Sequence, residues 1–285
     1  MERSVLVEIG NFNELKAVRE ATPGVYLDGG DLGEILLPRR QVPEDLVIGD
    51  SIEVFIYYDS EDRLIATTEE PYVTIGKFAH LRVVSLERVG AFLDWGLSKD
   101  LFLPFSEQTR DLKVGHDVIV YVYLDKSNRI SASMRLERFM DKSFPKYEVG
   151  EKVDLMIAAE TDLGYKAIIN GSHFGVLYAN EVFKKLEHGE ILPGYIKEVR
   201  QDGKIDLLLQ PMGSLGKDDL GQKILEELKS KGGFLPLNNH TSAETIYELF
   251  GVSKKKYKMA LGGLYKSRLI TIDDEGIRLT PKGEK

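Results

Sequence analysis

The chain has 285 residues, a net charge of −8 and no cysteine. The negative charge argues against a general binder of polyanions. The lack of cysteine excludes a disulfide framework, a thiolate metal site and a cysteine nucleophile, and it fits a reducing compartment. The amino-terminal residues contain no long apolar core, and no apolar run approaches the ~20 residues that span a bilayer. We therefore expect a soluble cytoplasmic protein with no membrane partner.

One pattern of fifteen residues occurs three times, beginning at Gly24, Gly90 and Gly164. Each copy is followed at the same offset by a second glycine and an alternating apolar run, and these second glycines are Gly49, Gly115 and Gly189. The runs are rich in Val, Ile, Tyr and Phe, which is the composition of strands. Each copy predicts about five short strands that close into a small barrel, because closure removes exposed sheet edges.

The repeat spacing predicts four domains, which we place at residues 1–70, 71–143, 144–213 and 214–285. Their net charges are −10, +2, −3 and +3. Local positive charge, and not the total charge of the chain, marks a nucleic-acid surface. The acidic first domain is therefore the poorest candidate, and we expect it to be structural or to contact protein.

The second copy predicts an aromatic pair on the outside of its barrel. Alternation assigns Leu93, Leu101 and Leu103 to the core, so Phe92 and Phe102 point outward. Two outward phenylalanines on neighbouring strands form a platform on which bases can stack. A second interpretation, in which Phe92 packs against a neighbouring domain, remains open. We expect the corresponding Tyr26 of the first domain to make such a contact, and the single tryptophan, Trp95, to be core.

The third copy predicts a basic outer face. Lys166 and Tyr178 lie on that face by alternation, and further basic residues follow at Lys184, Lys185, Lys197, Arg200 and Lys204. Each cation taken alone is best explained as a solvated surface charge. Together, beside a basic fourth domain, they would line a groove for phosphates.

The fourth domain changes from strand to helical spacing. Leu220, Ile224, Leu225 and Leu228 predict a first helix, Ser242 and Gly251 bound a second, and Ser253 can cap a third. Residues 269–272 and 277–280 predict a hairpin around an acidic turn. The third helix begins with basic residues, namely Lys254, Lys255, Lys256 and Lys258. These lysines either hold a phosphate backbone or keep the helix soluble.

The chain resembles known families along most of its length. The second copy, with LFLPFSEQ at 101–108, VGHDVIVYVYLD from 114 and RISASMR at 129–135, resembles the S1-type RNA-binding domain, an OB-fold barrel. The first copy resembles it well, and the third is divergent. Three helices followed by a hairpin resemble a winged-helix domain. The full layout resembles the bacterial conserved virulence factor B family.

This resemblance implies a mainly β, multidomain protein with three S1-like OB-fold barrels followed by a winged-helix α+β domain. It also implies a cytoplasmic RNA-binding protein that influences the expression of other genes. In S1-type domains the aromatic residue that binds nucleic acid stands where Phe92 stands. The third helix would be the recognition helix of the winged-helix domain.

The sequence contains no pattern that points to catalysis, to a metal or to a cofactor. Its five histidines are scattered, and it has neither a phosphate-binding glycine loop nor a G-x-S-x-G elbow. We therefore expect a non-catalytic binder of single-stranded RNA in post-transcriptional or virulence-related regulation. Two alternatives stay open: a winged-helix regulator that binds DNA, and a protein-interaction scaffold at the ribosome or RNA polymerase.

Overall fold

The computed structural model describes residues 6–182, 184–211 and 217–283, without the side chains of residues 217–219. The chain divides between residues 140 and 141 into two compact units. The predicted boundary between residues 213 and 214 lies outside the described residues. Within the described part of the chain, no helix combines the length and apolarity needed to cross a membrane.

The first barrel contains five strands in the closed order β1-β2-β3-β5-β4. They are β1 (Phe12–Ala21), β2 (Gly24–Asp28), β3 (Glu34–Pro38), β4 (Ser51–Tyr58) and β5 (Leu64–Thr67). Alternate residues such as Leu15, Leu27 and Leu37 point inward and are almost completely buried. The parallel pairing of β3 with β5 closes the barrel, so no strand edge stays open.

The second barrel has the same topology, with β8 and β10 as its parallel pair. Its strands are β6 (Phe78–Glu87), β7 (Gly90–Asp94), β8 (Leu101–Pro104), β9 (Asp117–Leu124) and β10 (Ile130–Ser133). Its core extends beyond the barrel, because Phe55 and Tyr57 on the outer side of β4 pack into the same apolar cluster. Trp95 joins this cluster at 3% exposure, with its ring edge-on to Phe55 at 5.7 Å, so its predicted core position is confirmed.

The second compact unit begins with a third barrel of the same closed order. Its strands are β11 (Lys152–Thr161), β12 (Gly164–Ile169), β13 (His173–Tyr178), β14 (Ile191–Val199) and β15 (Ile205–Leu208). Inward residues that include Leu155, Leu177 and Leu207 form a separate apolar cluster. The divergent third copy therefore keeps the strand order of the other two.

The glycine that opens each copy is required by close packing of neighbouring strands. A Cβ on Gly24, Gly90 or Gly164 would collide with the backbone carbonyl oxygen of the facing strand. Gly24 and Gly164 also have positive φ angles of 156° and 136°. A side chain at these positions would push β2, β7 or β12 away from its partner, which explains why the pattern begins with glycine.

The winged-helix domain follows the third barrel. Its elements are α1 (Lys217–Ser230), β16 (Phe234–Leu235), α2 (Ala243–Phe250), α3 (Lys254–Lys266), β17 (Ile270–Ile272) and β18 (Ile277–Leu279). Ser242 and Ser253 cap α2 and α3 by accepting backbone N–H groups, and Gly251 ends α2 in a left-handed conformation. The predicted fold class is confirmed. The short strand β16, which completes a three-stranded sheet, was not predicted.

Candidate nucleic-acid interface

The outer face of the second barrel carries a continuous row of side chains across four strands. Phe92 pairs with Phe102, Phe102 with Ser131, and Ser131 with Tyr123. Directly paired residues point to the same side of a sheet, so all four lie on the face opposite the core. The structure thus brings the two predicted phenylalanines together on β7 and β8.

The two phenylalanine rings form a partly exposed aromatic surface. Their centroids are 5.4 Å apart and the ring planes are tilted by 40°. Both side chains are half-buried, and both line a cavity of about 250 Å³. Tyr57 and Tyr58 of the first barrel line the same cavity, so Phe92 faces a space that both barrels of this unit enclose.

Ser131 is a residue of this face that sequence reasoning missed. Its side chain is 1% exposed and lines the cavity, and its hydroxyl has no hydrogen-bond partner among the described residues. Its neighbour Ser133, on the same face, donates to Glu107. The alternating strand ISAS, with Ala132 in the core, was the signal that could have placed both hydroxyls outward.

The corresponding face of the first barrel is occupied by its own side chains. The Arg19 guanidinium lies 3.8 Å from the centroid of the Tyr26 ring. Arg19 also donates two hydrogen bonds to the Glu34 carboxylate, and these raise the pKa of Arg19 above its usual value. The open face of Tyr26 is thus covered by Arg19 from within the same barrel, and Arg19 is itself paired with the Glu34 carboxylate.

The cations predicted on the third barrel have partners in the structure. Lys166 lies over the Phe174 ring at 3.7 Å. The other five are ion-paired at nitrogen–oxygen distances of 2.7 to 3.3 Å: Lys184 with Glu190, Lys185 with Glu187, Lys197 with Glu181, Arg200 with Asp206 and Lys204 with Asp202. A phosphate approaching this barrel would have to compete with these carboxylates.

The tightest of these arrangements surrounds Tyr178. Arg200 donates to the Tyr178 hydroxyl at 2.6 Å and to Asp206 at 2.8 Å, and Tyr178 donates to Asp206 at 3.3 Å. The hydrogen bond from Arg200 to Asp206 raises the pKa of Arg200 above its usual value. Tyr178 and Arg200 are thus held by each other and by a carboxylate that is 8% exposed.

The start of α3 presents free cations. Lys255, Lys256 and Lys258 are exposed, and their side chains have no hydrogen bond or ion pair with any described residue. Lys254 differs, because its ammonium donates to the His240 carbonyl oxygen at 3.2 Å. The opposite side of the helix packs into the domain core through residues that include Tyr257, which is fully buried. The helix therefore fixes the three free lysines on one exposed surface.

The wing has the opposite charge. Its turn at residues 273–276 contains Asp273, Asp274 and Glu275, and Arg278 pairs with two of them. Across the described residues there is no group of three or more histidine, aspartate or glutamate side chains positioned to hold a metal ion. The wing turn is therefore acidic, in contrast to the lysine-rich start of α3.

Comparison with known families identifies three parts of the chain. Residues 9–69 and 75–135 each match the S1 domain, and these ranges contain the first and second barrels. Residues 222–279 match the CvfB-like winged helix domain.

Curated relatives match along most of the chain. The protein called conserved virulence factor B of Staphylococcus saprophyticus is 27% identical, with 96% of this chain and 95% of the relative covered. The protein of that name from Staphylococcus haemolyticus is 29% identical, with 90% of each chain covered. A crystal structure of a multidomain protein with nucleic acid binding domains from Streptococcus pneumoniae is 24% identical, with a TM-score of 0.43 over 95% of this chain and 98% of that chain.

Proposed function

Because this chain belongs to the conserved virulence factor B family, with S1 domains and a CvfB-like winged helix domain, we propose that it binds single-stranded RNA without changing it chemically. Its S1 and winged-helix domains are nucleic-acid-binding modules, which typically carry no catalytic group. We further propose that it regulates the expression of other genes after transcription, including genes for virulence, in the cytoplasm.

The observation that carries this proposal is the Phe92–Phe102 pair on the outer face of the second barrel. The two half-buried rings border an open cavity, where a base can reach them without unfolding the barrel. Stacking on such a ring contributes roughly 1–3 kcal/mol per base and accepts any sequence. Bases in a duplex are already stacked on each other, so this surface favours a single strand.

The free lysines of α3 support the electrostatic part of the proposal. Lysines near a helix amino terminus are mildly unfavourable, because the helix dipole places positive charge there. A phosphate backbone would compensate that cost. Two weak contacts in one chain, bases on the second barrel and phosphates on α3, would also reinforce each other through linkage.

The same lysines favour a second candidate, a regulator in which α3 enters the major groove of DNA. The acidic wing counts against it, since Asp273, Asp274 and Glu275 would repel a neighbouring phosphate. The acidic first barrel is compatible with a protein contact at the ribosome or the transcription machinery, whether or not RNA is bound.

A direct titration distinguishes RNA from DNA. Fluorescence anisotropy of labelled single-stranded RNA and of duplex DNA is measured against the full chain. We expect tighter binding to single-stranded RNA, and Phe92→Ala should weaken it about 5-fold or more. Phe174→Ala, which removes an aromatic ring from the third barrel, is the matched control. Preference for the duplex, with no effect of Phe92→Ala, would favour the DNA regulator.

A further inference from the structure

The cavity beside the Phe92–Phe102 pair is built by two barrels, and its composition suits a planar, neutral ligand. Tyr57, Tyr58 and Asp62 contribute from the first barrel, and the second barrel supplies the rest. Its volume of about 250 Å³ is below the roughly 300–1,000 Å³ of pockets for drug-sized ligands. A single heterocycle fits this size, whereas a helix or a duplex does not.

The charged groups at the cavity balance each other. The Lys99 ammonium pairs with Asp62 at 3.0 Å and also donates to the Asp59 carbonyl oxygen. The Arg129 guanidinium is bonded through one nitrogen to Asp125, and its side chain is 59% exposed. Asp100 adds a second carboxylate to the lining. The interior therefore has little attraction for an anion, while the exposed Arg129 can meet a phosphate outside it.

Ser131 gives this cavity a polar contact that the other two barrels lack. Ser131 lies on β10, opposite β8. The equivalent residue is Ile65 on β5 in the first barrel and Asp206 on β15 in the third. Ile65 has no polar group, and Asp206 is already bonded by Arg200 and Tyr178. The Ser131 hydroxyl is buried and has no hydrogen-bond partner among the described residues. A buried hydroxyl without a partner destabilises the fold unless a ligand supplies the missing hydrogen bond.

We propose that this cavity takes one unpaired nucleobase of the bound RNA, and that the Ser131 hydroxyl hydrogen-bonds to the edge of that base. The base stacks on Phe92 and Phe102, and the first barrel supplies the opposite wall. This inference rests on the proposed binding of RNA and adds base selectivity to it. The acidic first barrel thereby has a role in binding that does not require attraction of phosphate.

Trp95 provides a direct report on the cavity. It is the only tryptophan in the sequence, it lines the cavity, and its indole nitrogen donates to the Lys99 carbonyl oxygen at 2.7 Å. Entry of a base should therefore change the tryptophan emission of the full chain. The emission and the anisotropy of the labelled RNA should saturate at the same RNA concentration.

The experiment compares oligo(A), oligo(C) and oligo(U) of about eight nucleotides, a length in the range that one barrel covers. We expect one of them to bind roughly 5- to 10-fold more tightly than the others, the contribution of one buried hydrogen bond. Ser131→Ala should remove most of this preference and leave the weaker oligomers unaffected. Ser127→Ala, an exposed position in the turn before β10, is the matched control and should keep the preference.

A second pair of variants tests the wall from the first barrel. Tyr58→Ala should reduce RNA affinity and the change in Trp95 emission, while Tyr72→Ala, at a tyrosine that is 68% exposed and outside the lining, should change neither. The inference would be overturned if RNA bound without changing Trp95 emission, or if Ser131→Ala kept the same base preference. Either result would leave the proposed function standing, and a protein side chain would then be the better occupant of the cavity. No binding of any RNA would overturn both.

Discussion

Replacing the three free lysines at the start of α3 tests the electrostatic part of RNA binding. We expect the Lys255→Glu, Lys256→Glu, Lys258→Glu triple variant to bind all single-stranded RNA sequences more weakly. The reason is that these side chains are exposed and have no described partner, so their full charge is available to phosphates. A phosphate contact carries no base information, and the loss should therefore be the same for every sequence.

The salt dependence gives the size of the effect. Each phosphate neutralised on a single strand contributes about 0.7 to the slope of log affinity against log salt concentration. Removing three contacts should therefore make the slope shallower by about 2. When the salt concentration is raised from about 50 to 200 mM, RNA affinity falls for both proteins. The fold-decrease should be roughly 20 times smaller for the variant than for the wild-type chain.

The same substitutions should not unfold the helix. Lys255 and Lys256 lie in the first turn of α3, where a glutamate interacts favourably with the helix dipole by about 0.3–1 kcal/mol. The melting temperature of the variant should be equal to or above that of the wild type. Weaker binding can then be assigned to the lost contacts and not to unfolding.

Anisotropy titrations at several salt concentrations measure both quantities. The control is a Lys142→Glu, Lys146→Glu, Lys152→Glu variant, which changes the net charge equally at exposed lysines outside all predicted sites. An equal loss in this control would assign the effect to net charge. An α3 variant with unchanged affinity and slope would remove the winged helix from the RNA site.

Two further predictions concern stability and are checked by thermal or urea denaturation. Tyr257→Phe should leave the stability of the winged helix unchanged or raise it by up to about 1 kcal/mol, because the buried hydroxyl has no described partner and its burial raises the pKa of Tyr257 strongly; a clear loss of stability would contradict this. Gly90→Ala should lower the free energy of unfolding by more than about 2 kcal/mol, because the new Cβ would collide with the Leu103 carbonyl oxygen. Gly263→Ala, which has open space around it in α3, should raise the free energy of unfolding by about 1 kcal/mol. Equal effects of the two changes would contradict the close-packing argument.

The repeat and the capping residues predicted three five-stranded barrels and three helices, and the resemblance to known families added the S1-like and winged-helix assignments. Alternation identifies strands because side chains of a strand point to opposite faces, and a serine before a helical pattern marks its start. Ser242, Ser253 and Gly251 occupy the cap positions expected of them. The two-residue strand β16 was not predicted, because so short a segment shows no periodicity.

The candidate site was predicted less completely. Phe92 and Phe102 follow from alternation within one barrel, and the structure places them side by side. The pairing of Lys197 with Glu181, by contrast, depends on how the loop after β13 meets β14. Charge counts treated the cations of the third barrel as a group, but their availability is decided by individual contacts.

The sequence by itself determined three barrels, three helices followed by a hairpin, and an outward aromatic pair, because these depend on periodicity and on caps that act over a few residues. Only the tertiary structure decided which surfaces remain open. Strand β4 shows why: Val54 and Ile56 enter the core of their own barrel, while Phe55 and Tyr57 on its other side pack with the second barrel. That contact joins residues some forty positions apart and creates the cavity over Ser131, which no local pattern specifies.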